Sequence, residues 1–194
     1  MLAISNDRPM KYIAKTLVLL IVAISLFSCN HQPSPDKVVA QTWLNVNNIT
    51  SHYSSNFFRI LQEMKSKDNI TVVRNNEVIK GTSVEYVKQY VIAPVIAAQK
   101  KVEKLPEKED IKEIITASLE VYKYGRAVFE KEYLAIALMI DEEKPEAEIN
   151  TAIENIYIAH DPVMQEKLNK LDELVFPYAK KHKIPIKTYG EELQ

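Results

Sequence analysis

Three glycines in 194 residues, Gly81, Gly125 and Gly190, limit what this chain can fold into. A sheet-rich fold needs frequent tight turns, and those turns favour residues that accept positive φ cheaply, glycine above all. Long stretches rich in Ala, Leu, Ile, Glu and Lys fill the rest of the sequence. The chain therefore reads as all-α. At this length a single domain with a substantial core is expected. Apolar and charged contents of 46% and 26% suit such a body.

Four tracts carry helical periodicity. The first runs from Pro35 to Lys65, with Ser34 as N-cap and proline at the first helical position. Val39, Trp43, Val46, Thr50, Tyr53, Phe57, Ile60 and Met64 alternate four and three apart along its expected inner face. Residues 66–81 break the pattern, and a small hairpin or an extended loop fits them equally well. Thr82 and Glu85 have capping-box spacing and open a second helix, 83–104, with a seam of Val84, Val87, Val91, Val95, Ala98, Val102 and Leu105. Pro94 inside it removes a backbone donor and predicts a kink. Pro106 is expected to restart the chain for a third helix, to Ile140, buried through Ile111, Ile115, Tyr122, Phe129, Tyr133, Ile136 and Ile140. The fourth tract, Pro145 to His182, uses Ile149, Ile153, Ile156, His160, Val163, Leu168, Leu171, Val175 and Tyr178. Pro162 and Pro177 predict that it is divided into two or three pieces. Four amphipathic helices with short links read as an antiparallel four-helix bundle with kinked helices.

The N-terminal residues follow a different rule. Lys11 and Lys15 precede an almost unbroken apolar run, Leu17 to Phe27, which ends in Leu26-Phe27-Ser28-Cys29. About eleven apolar residues fit a secretion signal and fall short of the ~20 that span a bilayer. The ending resembles the lipobox of bacterial lipoproteins. That resemblance implies cleavage before Cys29 and attachment of acyl chains to this residue, the lipid-attachment site. Two or three chains make membrane residence stable where one does not. Residues 1–28 are then a signal peptide, with translation starting at Met1 or Met10; 29–34 form a lipidated tether; 35–189 form the helical domain. Six extended residues reach only about 20 Å, which would keep the body close to the membrane. Asn30 after the cysteine, by resemblance to the sorting rule of many Gram-negative lipoproteins, implies the outer membrane.

The body carries a second resemblance. A Leu105-Pro106 turn, a helix with Tyr122, Phe129, Glu130 and Tyr133, and the ending Tyr178-Ala179-Lys180-Lys181-His182-Lys183-Ile184 resemble an uncharacterised family of small helical bacterial surface lipoproteins. The resemblance implies a lipoprotein and a bundle, and no activity.

Net charge is −1 for the whole chain, and removing residues 1–28, with three cations and one anion, leaves −3. This balance does not suggest a nucleic-acid partner. A single cysteine excludes an intrachain disulfide. No His-x-x-x-His or Glu-x-x-His pair occurs, so no metal ligands and no cofactor are expected. Haem between Met64, Met139 or Met164 and His160 or His182 is the nearest alternative. The carboxylates at Glu107/Glu109/Asp110 and Asp141/Glu142/Glu143 read as solvated helix-end charges.

Three residues stand out as a ligand site or a structural polar site. His160 precedes Asp161-Pro162, where its imidazole could satisfy carbonyls freed by a helix break. Gly125 interrupts a helix beside Tyr122 and Tyr124, at about 1 kcal/mol relative to alanine; it either admits a close neighbour or lines a cleft. The basic tail, Lys180, Lys181, His182, Lys183 and Lys187, suits a helix C-terminus or anionic headgroups. The expected role is non-enzymatic: a lipid-anchored envelope protein that binds an envelope or extracellular protein or serves structurally. The alternative is a carrier holding a small ligand, haem or metal in an inter-helical cleft.

Overall fold

The structure, a computed structural model, describes residues 33–186. The expected signal peptide, Cys29 and the next three residues of the tether lie outside the described residues, as do residues 187–194. The described part is mostly helical, with one small two-stranded sheet. No described helix is long and apolar enough to cross a membrane.

The first tract is not one helix. It divides into α1 (Pro35–Thr42), a 3-10 turn (Leu44–Val46), α2 (Asn47–Thr50) and α3 (Ser55–Ser66). Ser34 Oγ accepts from the Lys37 amide, so the start is capped as its sequence predicts. The breaks shift the buried register. Val38, Val39, Thr42, Val46 and Ile49 face inward before residues 51–54, and Phe58 and Leu61 after them. Ile60, expected inside, is 42% exposed. Breaking a helix in the interior frees carbonyls that must be satisfied. The Val46 amide has turned to Trp43, and the Thr42 carbonyl that it left accepts instead from Ser118 Oγ at 2.7 Å. At the second break the His52 carbonyl accepts from Tyr133 Oη at 2.9 Å.

Residues 66–81 form a hairpin, β1 (Thr71–Arg74) paired antiparallel with β2 (Glu77–Lys80), with Val73 opposite Val78. Asn75 and Asn76 both have positive φ, 53° and 63°, the twist a two-residue hairpin turn requires. The outer edge of β1 is closed by a side chain. Gln89 accepts from the Val73 amide through Oε1 and donates to the Val73 carbonyl through Nε2, both at 2.8 Å. One amide side chain thus does the work of a third strand at that position.

Helix α4 (Ser83–Tyr86) opens the second tract and carries the full capping box of Thr82 and Glu85. Its first amides are fully satisfied: Ser83 and Val84 donate to the two carboxylate oxygens of Asp141, at 2.8 and 3.1 Å, and Glu85 donates to Thr82 Oγ1. Asp141 is therefore not a solvated charge, as its sequence context suggested; it closes a helix distant in sequence. The tract continues through a π-helical segment (Val87–Ile92) into α5 (Ala93–Glu103). Pro94 lies directly after that widened turn, where its ring would otherwise meet the carbonyl of Tyr90.

The third tract begins at Lys112, not at Pro106: α6 (Lys112–Val128), a second π-helical segment (Phe129–Tyr133) and α7 (Leu134–Asp141). Residues 104–111 form a turn pinned by buried Leu105 and Ile111. The fourth tract is one unbroken helix, α8 (Glu146–Lys181), 36 residues long despite Pro162 and Pro177. Both prolines are exposed, so the carbonyls they leave unpaired, at Ile158 and Glu173, face water. Division of the helix is avoided for that reason. Met164, not Val163, takes the buried position after the first proline.

Helix α8 packs against α1, α3, α6 and α7, and the two π-helical segments contact each other. One core joins buried residues from all four tracts. Replacing Asp141 with alanine strands two amides at the start of α4. It should cost roughly 2 kcal/mol and lower the melting temperature by ~5 °C. A calorimetric scan that superimposes on wild type would show that the cap contributes nothing.

Candidate functional site

The two breaks in the first tract bring a group of aromatic hydroxyls together. Residues 51–54 dock on the second π-helical segment, which aims Phe129 and Tyr133 inward side by side, their rings 4.6 Å apart. Phe58 lies 4.5 Å from Tyr133 by ring centroids. Tyr133 is fully buried; its hydroxyl donates to His52 and lies 3.3 Å from that of Tyr157. Desolvation pushes the Tyr133 phenol far above its ordinary value.

Beside this cluster an open cleft of about 740 Å³ lies between the 49–55 turn and α8. Ile49, Tyr53, Tyr157, Asp161, Met164 and Leu168 are among its lining residues. The rings of Tyr53 and Tyr157 meet at 82° with centroids 5.6 Å apart, making an aromatic corner. Tyr53 Oη is buried and has no hydrogen-bond partner among the described residues. Burial, and then the Asp161 carboxylate facing it, push the Tyr53 phenol above its ordinary value. Asp161 itself is exposed, and the lysines that follow it on α8, Lys167 and Lys170, turn to Glu120.

Of the three residues singled out from sequence as a site, His160, Gly125 and Tyr122, none lines this cleft. His160 is half-buried, and its Nδ1 meets Tyr124 Oη at 2.8 Å. It satisfies no freed carbonyl: α8 does not break there, and the Ile158 carbonyl left by Pro162 faces water. Gly125 faces Ile49: a Cβ at this position would stand 2.9 Å from both Cδ1 and Cγ2 of that side chain. Ile49 is fully buried and also lines the cleft, so the missing side chain of Gly125 lets α2 seat against α6 under the cleft floor. Tyr122 is fully buried, its hydroxyl has no partner among the described residues, and desolvation raises its phenol. Met164 is buried in the cleft wall, and among the described residues no three His, Cys, Asp or Glu side chains converge on a metal position. His182 Nε2 is buried against Tyr178, whose ring centroid is 4.4 Å away.

The residues that sequence reading missed are Ser118, Tyr53, Tyr157 and Asp161. Ser118 had a legible signal, since it fills the gap between Ile115 and Tyr122 at helical spacing. Asp161 had none, because Tyr53, the hydroxyl it faces, is more than a hundred residues away in sequence. No protein-family model, curated protein or solved structure matches this chain.

Two measurements test these placements. Gly125→Leu should sharply lower the melting temperature. Gly125→Ala should be more favourable in an Ile49→Ala background than in wild type, since the added methyl then enters vacated space while helix propensity still gains ~1 kcal/mol. Equal effects in both backgrounds would disprove the close contact. Tyr122→Phe removes an orphan hydroxyl and should leave stability unchanged or raise it by about 1 kcal/mol at neutral pH. The phenol of Tyr122 is raised in the fold, so its stabilisation by proton retention is complete below the unfolded value of roughly 10 and is lost as pH rises above it. Wild type should therefore lose stability relative to Tyr122→Phe above about pH 10, at up to ~1.4 kcal/mol per pH unit. Denaturant curves of the two proteins that stay parallel from pH 8 to 11.5 would refute this.

Proposed function

We propose that this chain is a lipid-anchored protein of a bacterial envelope, tethered through Cys29, whose body is an antiparallel four-helix bundle that binds a protein partner or serves structurally. The observation that carries the reading is the coincidence of Lys11 and Lys15, an apolar run of signal length, and cysteine directly after Leu26-Phe27-Ser28. A hydrophobic signal of this length without the cysteine would direct export; with it, the pattern resembles the lipobox. Pro35, the first helical residue, stands six positions after Cys29, so the anchor would hold the body against the membrane. Asn30 favours the outer membrane by the same resemblance. The bundle reading is supported by four helical tracts in sequence and by the contacts of α8 with the first and third of them. Phe129 to Tyr133, a segment of the family resemblance, coincides with the π-helical segment that places Phe129 and Tyr133 in the core.

A second reading is favoured by one feature of the fold. The cleft beside Tyr53 and Tyr157 has the size of a small-molecule site, and its lining combines apolar side chains with hydroxyl, amide and carboxylate groups. On that reading the anchored body is a carrier.

Cells given labelled palmitate should incorporate it into wild type and not into Cys29→Ser, and only wild type should sediment with membranes after carbonate washing. Equal labelling and equal fractionation of the two proteins would end the lipoprotein reading.

A further inference from the structure

We infer that the cleft between the 49–55 turn and α8 is a binding site for a protonated primary amine with an apolar body, its ammonium held between Asp161 and Tyr53. This rests on the carrier reading and specifies its ligand.

Hydroxyl bookkeeping in the aromatic cluster is the starting point. Tyr133 donates to the His52 carbonyl, and Tyr157 lies within reach of Tyr133, so both hydroxyls are used inside the protein. Tyr53 Oη is buried in the same cluster without a hydrogen bond of normal length, and it faces the Asp161 carboxylate. A buried hydroxyl left unpaired is costly, and a group entering from the cleft is the available remedy. Asp161 stands on the facing wall, on α8, with its negative charge unopposed: none of the lining residues is a lysine, arginine or histidine. A carboxylate or phosphate ligand would meet repulsion there.

An ammonium with N–H groups answers both needs at once. It donates to the Asp161 carboxylate and to the lone pair of Tyr53 Oη, and it sits at the corner made by two tyrosine rings, whose faces attract cations. Ile49, Pro162, Met164 and Leu168 then offer apolar contact to the rest of the molecule. A quaternary ammonium keeps the charge but has no N–H to donate. An alcohol keeps a donor but has no charge.

The test is calorimetric titration of the full chain in a non-ionic detergent at low salt, where an exposed carboxylate is least screened. The probes are phenethylammonium, its trimethylammonium analogue, neutral 2-phenylethanol and phenylacetate. Phenethylammonium should bind most tightly and phenylacetate not at all. Asp161→Asn should weaken phenethylammonium by about 10-fold or more, the loss expected for a hydrogen bond to a charged group. Tyr53→Phe should weaken it several-fold, and Asp161→Glu should retain most of the binding, which separates charge from any disturbance of the helix. Equal affinity for 2-phenylethanol, or affinity unaffected by Asp161→Asn, overturns the amine assignment and leaves an apolar carrier. Absence of binding by all four probes also overturns it. The carrier reading is tested separately, by mass spectrometry of small molecules released from protein purified out of its native membrane.

Discussion

Two hydroxyl groups from the third helical tract make the rest of this fold possible. Ser118 and Tyr133 each donate to a carbonyl, of Thr42 and His52, at the places where the first tract leaves helical geometry. Without them, the Thr42 carbonyl would be left unpaired in the core, at a cost of about 1–3 kcal/mol, and the His52 carbonyl would keep only the amide of Ser54. With them, the first tract bends twice and wraps α6 and α8 instead of lying alongside them as a straight rod. The bending changes which residues are inside. Phe58 and Leu61 replace the straight-helix register, and Ile49 reaches the notch left by Gly125.

The cleft is a by-product of the same bending. A straight helix would have carried Tyr53 in its expected seam and covered α8 continuously. The turn at residues 51–54 opens a gap and leaves Tyr53 facing Tyr157 and Asp161 across it. The second π-helical segment contributes from below, because its widened turn seats Phe129 beside Tyr133, and Tyr133 against Phe58. Such insertions are tolerated where the displaced backbone groups find partners.

Much of the fold was legible. Scarce glycine and helical periodicity pointed to helices, and the seams of the second and third tracts, from Val87 to Val102 and from Ile111 to Ile140, are buried. Thr82 with Glu85 announced its capping box. Errors arose where tertiary contacts outweigh local preference. The first tract breaks because hydroxyls distant in sequence satisfy its carbonyls, and α8 stays whole because its prolines face solvent. Glycine scarcity also had a consequence that composition alone does not show. Asp68, Asn75, Asn76, Glu143 and Lys183 all take positive φ, so polar residues occupy turns that glycine would adopt with less strain. The candidate site was the least legible part. His160, Gly125 and Tyr122 drew notice as odd residues in apolar phase, whereas the cleft is made of residues ordinary in their own segments and unusual only in combination.

The sole tryptophan occupies an informative place. At the first break, Trp43 Nε1 donates to Asp172 Oδ1 at 2.6 Å and its ring meets Phe176 edge-on. Its indole therefore straddles the seam between the wrapped N-terminal segment and the long C-terminal helix. Excited at wavelengths where the ten tyrosines are dark, this one fluorophore reports whether the wrap is closed. The molecule carries its own optical gauge for the event that shapes the cleft.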